Sequence, residues 1–138
     1  MFFDPPNRQL TGYGNCFCHI KIIVSKVLIT NSEYGFSGGV ITETEAYNGI
    51  VDRACHSYNG LRTKRTETMY LRGGHTYVYL CYGIHHLFNI VCSSENDPRA
   101  ILIRGIQPTI GVDLILKRRK SKSGKGKIII FLENRWVI

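Results

Sequence analysis

Val40–Tyr47 (VITETEAY) is a polar Thr-Glu-Thr-Glu run between two apolar pairs and reads as a strand. Side-chain alternation along it puts Ile41, Glu43, Glu45 and Tyr47 on one face and Val40, Thr42, Thr44 and Ala46 on the other. Upstream, Ile20–Thr30 (IKIIVSKVLIT) is dense in β-branched residues and predicts a strand, with the end of a helix before it. Gly35, Gly38 and Gly39 place a turn within Asn31–Gly39, so the two strands form a hairpin. Thr76–Tyr82 (TYVYLCY) and His85–Ser93 (HHLFNIVCS) predict a second hairpin, with Tyr82 and Gly83 at its tip. Ala100–Arg104 (AILIR) adds a short strand, and Val112, Ile115 and Leu116 fit a helix over Gly111–Lys120.

Between the hairpins, Asn48–Gly74 is polar and carries Arg53, Arg62, Lys64, Arg65 and Arg72. A loop this long is either functional or broken by short helical turns. Met1–Cys18 has little periodicity, Ser121–Lys127 predicts a basic loop, and Ile128–Ile138 a last strand. No internal repeat is visible.

The chain has 138 residues, 43% of them hydrophobic, which suits one domain with a core of its own. Eighteen Lys and Arg against ten Asp and Glu give a net charge of +8 and favour a polyanionic partner. Charge alone would equally suit an unrelated basic nucleic-acid module. No apolar run is long enough to span a bilayer, and Met1–Cys18 lacks the pattern of a signal peptide. Five cysteines at irregular spacing argue against a disulfide framework and for a reducing, cytoplasmic setting. Cys16, Cys18 and His19 lack zinc spacing, and the adjacent His85 and His86 face opposite ways, so no metal is expected.

Glu45 is the leading acid–base candidate, a carboxylate among aromatics. The same pattern suits a surface acid on an edge strand. Tyr47, His56 and Tyr79 could stack on a flat base or simply fill a core. Tyr82 at a hairpin tip could wedge between base pairs or face solvent. Asn89 and Arg104 are polar residues in apolar strands and need partners. Asn89 could read a base edge; Arg104 could hold a phosphate, or pair with Glu43 or Asp113.

These segments, in this order, resemble the alkyladenine (3-methyladenine) DNA glycosylases of the methylpurine type. The likeness runs from about Lys26 to Pro108. It rests on the E-T-E-A-Y strand over Glu43–Tyr47, Ala54–Ser57, Arg62–Arg65, Met69, the Y-V-Y-x-x-Y-G hairpin from Tyr77, Asn89–Val91 and Ile101–Pro108. The strand and the hairpin together are highly specific. The resemblance implies an α+β single domain with a curved, mostly antiparallel sheet and a protruding hairpin. It implies that Glu45 activates water beside Arg104. Tyr47, His56, Tyr79 and Asn89 would line a base pocket, and Tyr82 would fill the gap in the duplex. The partner would be double-stranded DNA containing alkylated bases, the enzyme a monomer without metal or organic cofactor. The match thins over residues 1–21 and 128–138, where an incomplete domain is expected. A second expectation follows from those ends: an inactive remnant that binds DNA weakly.

Overall fold

The computed structural model describes residues 22–83, 85–119 and 128–129. The irregular stretch before Ile22, with Cys16, Cys18 and His19, the basic loop over Ser121–Lys127 and most of the last predicted strand lie outside them.

The strands form one antiparallel sheet. β1 is Val27–Ser32, β2 Gly35–Tyr47, β3 Thr76–Cys81, β4 His85–Val91 and β5 Ala100–Ile110. Helix α1 follows at Val112–Arg119, and β6 is the short Ile128–Ile129. The order across the sheet is β1-β2-β5-β4-β3, and β6 pairs with β5 at Gly105 and Ile106, past the stretch that β5 shares with β4. β5 is therefore the central strand, with β2 along its whole length on one side.

The two hairpins and α1 match the periodicity, with shifted ends. Ile22 and Ile23 stand in a helical turn, so the first strand starts at Val27 rather than Ile20 and runs on to Ser32. β5 extends to Ile110, well past Arg104.

The turn expected over Asn31–Gly39 shrinks to Glu33 and Tyr34. Gly38 and Gly39 are strand residues, placed there for closeness rather than for turning. A Cβ on Gly38 would lie 2.2 Å from the Leu28 carbonyl oxygen, and one on Gly39 would lie 2.1 Å from that of Gln107. β2 is pressed between β1 and β5 at this point, and only a residue without a side chain fits on either side.

The simple alternation along β2 also breaks. The pairing runs Ile41 to Ile106, Glu43 to Gly105, then Thr44 to Ile103. Thr42 is the extra residue on β2 and Arg104 the extra residue on β5. Facing bulges re-aim side chains without shifting the rest of the ladder. Ile41 is fully buried while Glu43 is exposed, so the two do not share an environment as strict alternation required.

Two apolar clusters result. Ile41, Phe88, Ile90, Ile103 and Ile106 form one, with Ile23 and Leu28 against it. Cys55, Met69, Tyr70, Tyr77, Val91 and Ala100 form the other, beneath the loop between β2 and β3. Adjacent residues on β4 join opposite clusters, Ile90 one and Val91 the other, so the strand is covered on both faces. The covering loop holds three short 3-10 turns, Gly49–Val51, Tyr58–Gly60 and Glu67–Tyr70. Arg62 ties it down. Its guanidinium donates to both oxygens of Glu67, at 3.0 and 2.6 Å, and to Asn96 Oδ1 at 2.8 Å.

Candidate active site

The loop between β2 and β3 closes over the sheet to leave an open concavity of about 240 Å3, counting its mouth. Tyr47, His56, Tyr79 and Asn89, the four that the resemblance sets around one pocket, all line it. Tyr77, which the sequence reading did not single out, lines it too. The signal was available: Tyr77 and Tyr79 are two apart on β3 and must share a face.

His56 is held by its neighbours. The Cys55 thiol and the Ser57 hydroxyl are 3.0 Å apart, both buried, and Ser57 Oγ donates to the Pro98 carbonyl at 3.2 Å. That pins the backbone on each side of the imidazole. The Asp52 carboxylate accepts from the backbone N–H of Asn48 and of Ala54, each at 3.0 Å, and sets the chain's approach. The ring itself bonds Tyr77 Oη through Nδ1 at 2.8 Å and meets Tyr79 edge-on with centroids 4.4 Å apart. Tyr77 and Tyr79 lie tilted at 5.7 Å. Three rings thus brace one another, through one hydrogen bond and mutual ring contacts.

Burial, and then the nearby Arg65 cation, push the His56 imidazole below its ordinary value of 6.5. The folded state therefore binds fewer protons than the unfolded chain across that window. The associated stability is complete above pH 6.5 and is lost as the pH falls through 6.5 and then through the lower folded value. We expect the urea midpoint of the protein to fall between about pH 7 and about pH 5, and His56→Asn to flatten that fall. Identical slopes in the two proteins would contradict this assignment.

Asn89 is 2% exposed, and its Nδ2 donates to the carbonyls of Tyr77 at 3.1 Å and Leu87 at 3.3 Å. Two carbonyl partners fix which end of the amide is nitrogen. Oδ1 is then the atom that can meet a ligand.

Glu45 and Arg104 come together through the paired bulges. Arg104 Nε donates to Glu43 Oε1 at 3.0 Å, and its Nη1 donates to Glu45 Oε2. The ion pair with Glu43 had been anticipated as a structural alternative; the guanidinium serves both carboxylates. Neither Glu45 nor Arg104 lines the concavity. The link is Tyr47, which does. Its hydroxyl is raised well above the usual phenol range, first by burial, then by the charge and hydrogen bonding of Glu45. Burial also raises Tyr79, with smaller contributions from Cys81, Tyr77 and then Glu45. The carboxylate therefore lies outside the concavity and beside Tyr47, and its charge reaches Tyr79. It is 39% exposed and held by an arginine, closer to the surface acid that the pattern allowed than to a carboxylate desolvated among aromatics.

Tyr82 stands apart from the pocket, at the tip of the β3–β4 hairpin, 92% exposed. Its φ of 51° and the 73° of Gly83 turn the chain back. A tyrosine in the left-handed region carries strain that glycine would avoid, which is a reason to look for function there.

Among the described residues, no three His, Cys, Asp or Glu converge as metal ligands. No helix among them is long and apolar enough to cross a membrane.

A ring-walled pocket with an acid–arginine pair next to it suits a protein that holds a flat base beside a carboxylate. Residues 20–133 match the methylpurine-DNA glycosylase family, so the likeness extends past both ends of the Lys26–Pro108 stretch. The chain is 46% identical over 133 residues to a protein of Oceanobacillus iheyensis, covering 92% of this chain and 62% of that one. It is 51% identical over 112 residues to one of Borreliella afzelii, covering 81% and 59%, and 48% identical over 100 residues to one of Chlamydia felis, covering 72% and 52%. All three carry the provisional name 3-methyladenine DNA glycosylase. The chain spans between half and two thirds of the length of these curated relatives. It belongs to the methylpurine-DNA glycosylase family.

Proposed function

We propose that the chain excises alkylated purines of the 3-methyladenine type from double-stranded DNA, by hydrolysing the N-glycosidic bond of a flipped-out base. The observation that carries this reading is the Glu45 carboxylate, paired with Arg104 and adjoining Tyr47 of the pocket wall.

A base inside a duplex is out of reach, and extruding it costs a few kcal/mol. Stacking returns about 1–3 kcal/mol per base on an aromatic platform, the part given to Tyr47, His56 and Tyr79. Tyr82 enters the vacated stack as the apolar wedge, and exposed cations of the covering loop, Arg53, Lys64 and Arg72, bind phosphates without reading sequence. Asn89 sorts bases at one edge. As the base leaves with the bonding pair, the sugar becomes oxocarbenium-like. Glu45 stabilises that charge and takes a proton from the water that attacks C1′. Arg104 holds the carboxylate in the orientation this requires. The reading includes a monomeric enzyme acting in the cytoplasm without metal or organic cofactor.

Flipping can be followed by a 2-aminopurine placed beside the alkylated adenine, which brightens when its neighbour is withdrawn. The full chain should raise that signal on the damaged duplex and leave an undamaged one dark. Tyr82→Ala should weaken the rise about tenfold, since it removes the wedge that offsets unstacking. Its thermal midpoint should stay put, because the side chain is exposed. Equal signals from damaged and undamaged duplexes would count against the proposal.

A further inference from the structure

One cation beside the pocket's rings has no part in the chemistry above. Arg65 lies with its guanidinium carbon 5.8 Å from the centre of the Tyr79 ring. Its charge also bears on His56 and Tyr77, and its guanidinium hydrogen-bonds the Tyr77 hydroxyl, so it acts on all three rings. Among the described residues no carboxylate pairs with it. Arg62, three positions earlier, is by contrast saturated by Glu67 and Asn96. Glu45 therefore bears on Tyr47 and Tyr79, while Arg65 bears on Tyr79, Tyr77 and His56 with no carboxylate of its own.

We infer that Arg65 is a specificity-determining residue that biases the pocket against positively charged bases and toward neutral ones. The inference rests on the excision reading and deepens it. The electron-rich face of Tyr79 attracts a cation. Arg65 already occupies that position in the free protein. A purine carrying an alkyl group on a ring nitrogen is cationic while attached to its sugar. To stack on Tyr79 it must displace the guanidinium or accept its repulsion. A neutral deaminated purine, hypoxanthine, meets neither cost.

The test compares single-turnover release, and equilibrium binding, of two duplexes, one bearing 3-methyladenine and the other hypoxanthine. Arg65→Met keeps the length and apolar stem of the side chain but removes the charge. It should raise the ratio of 3-methyladenine to hypoxanthine, in release and in binding, by about three- to tenfold, the effect of one partly screened charge at that separation. Arg65→Lys restores the charge and should return the ratio close to its original value. An unchanged ratio, with both substrates weakened together and the salt dependence of binding reduced by about one charge, would make Arg65 a phosphate contact and overturn the inference. Release of neither base by the unaltered chain would strike the excision reading instead, and the binding ratio would still decide the role of Arg65.

Discussion

Glu45→Gln should lower single-turnover base release by a factor of about 10² to 10⁴, the usual contribution of a positioned acid–base group. The amide has nearly the shape of the carboxylate and can still accept a hydrogen bond from Arg104. It cannot take a proton from water, and it offers no negative charge to an oxocarbenium-like sugar. Binding of damaged duplex should change little, because the rings that receive the base are other side chains. Thermal stability should also hold, since the carboxylate is 39% exposed and its ion pair lies at the surface. A fall in release matched by an equal fall in stability would show that the substitution had acted on the fold.

Gly39→Ala should do the reverse and act on the fold first. The new methyl would lie 2.1 Å from the Gln107 carbonyl oxygen and 2.7 Å from the Pro108 Cα, both of them backbone. No rotamer change relieves such a contact; β2 and β5 would have to move apart. β5 is the central strand, and β2 pairs with it from Gly38 to Tyr47. We expect a loss of at least about 3 kcal/mol, the upper end for overpacking a well-filled interior. In a domain of this size that lowers the melting temperature on the order of ten degrees. Calorimetry on the two proteins decides it, and a shift of a degree or less would mean that the strands are not held as closely as described. Because the bulges that bring Glu45 and Arg104 together lie on the same strand pair, activity should fall along with stability.

The same two glycines mark the limit of what the sequence could tell. A cluster of Gly35, Gly38 and Gly39 suggests a turn, since glycine tolerates left-handed backbone. Here only Gly35 of the three has a positive φ, and Gly38 and Gly39 answer to close strand packing instead. Backbone approach between strands distant in sequence leaves no local signature. The bulges at Thr42 and Arg104 escaped for a related reason, because a period of two has no place for an extra residue. The hairpins and the exposed Tyr82 were legible because alternation and turn chemistry are local, whereas the pocket-lining set of Tyr47, His56, Tyr79 and Asn89 came together only through the family resemblance. Tyr77 could have been found by extending that alternation one step. Arg65 over Tyr79 and the shared Arg104 depend on how the covering loop and the central strand fold back, and no local pattern encodes either.

The most direct measurement is the time course of free 3-methyladenine released from a methylated duplex by excess full chain, beside its Glu45→Gln variant. The account predicts one free base for each abasic site formed, an intact sugar–phosphate backbone, and release largely abolished in the variant. Release that is absent, or equal in the two proteins, would contradict it.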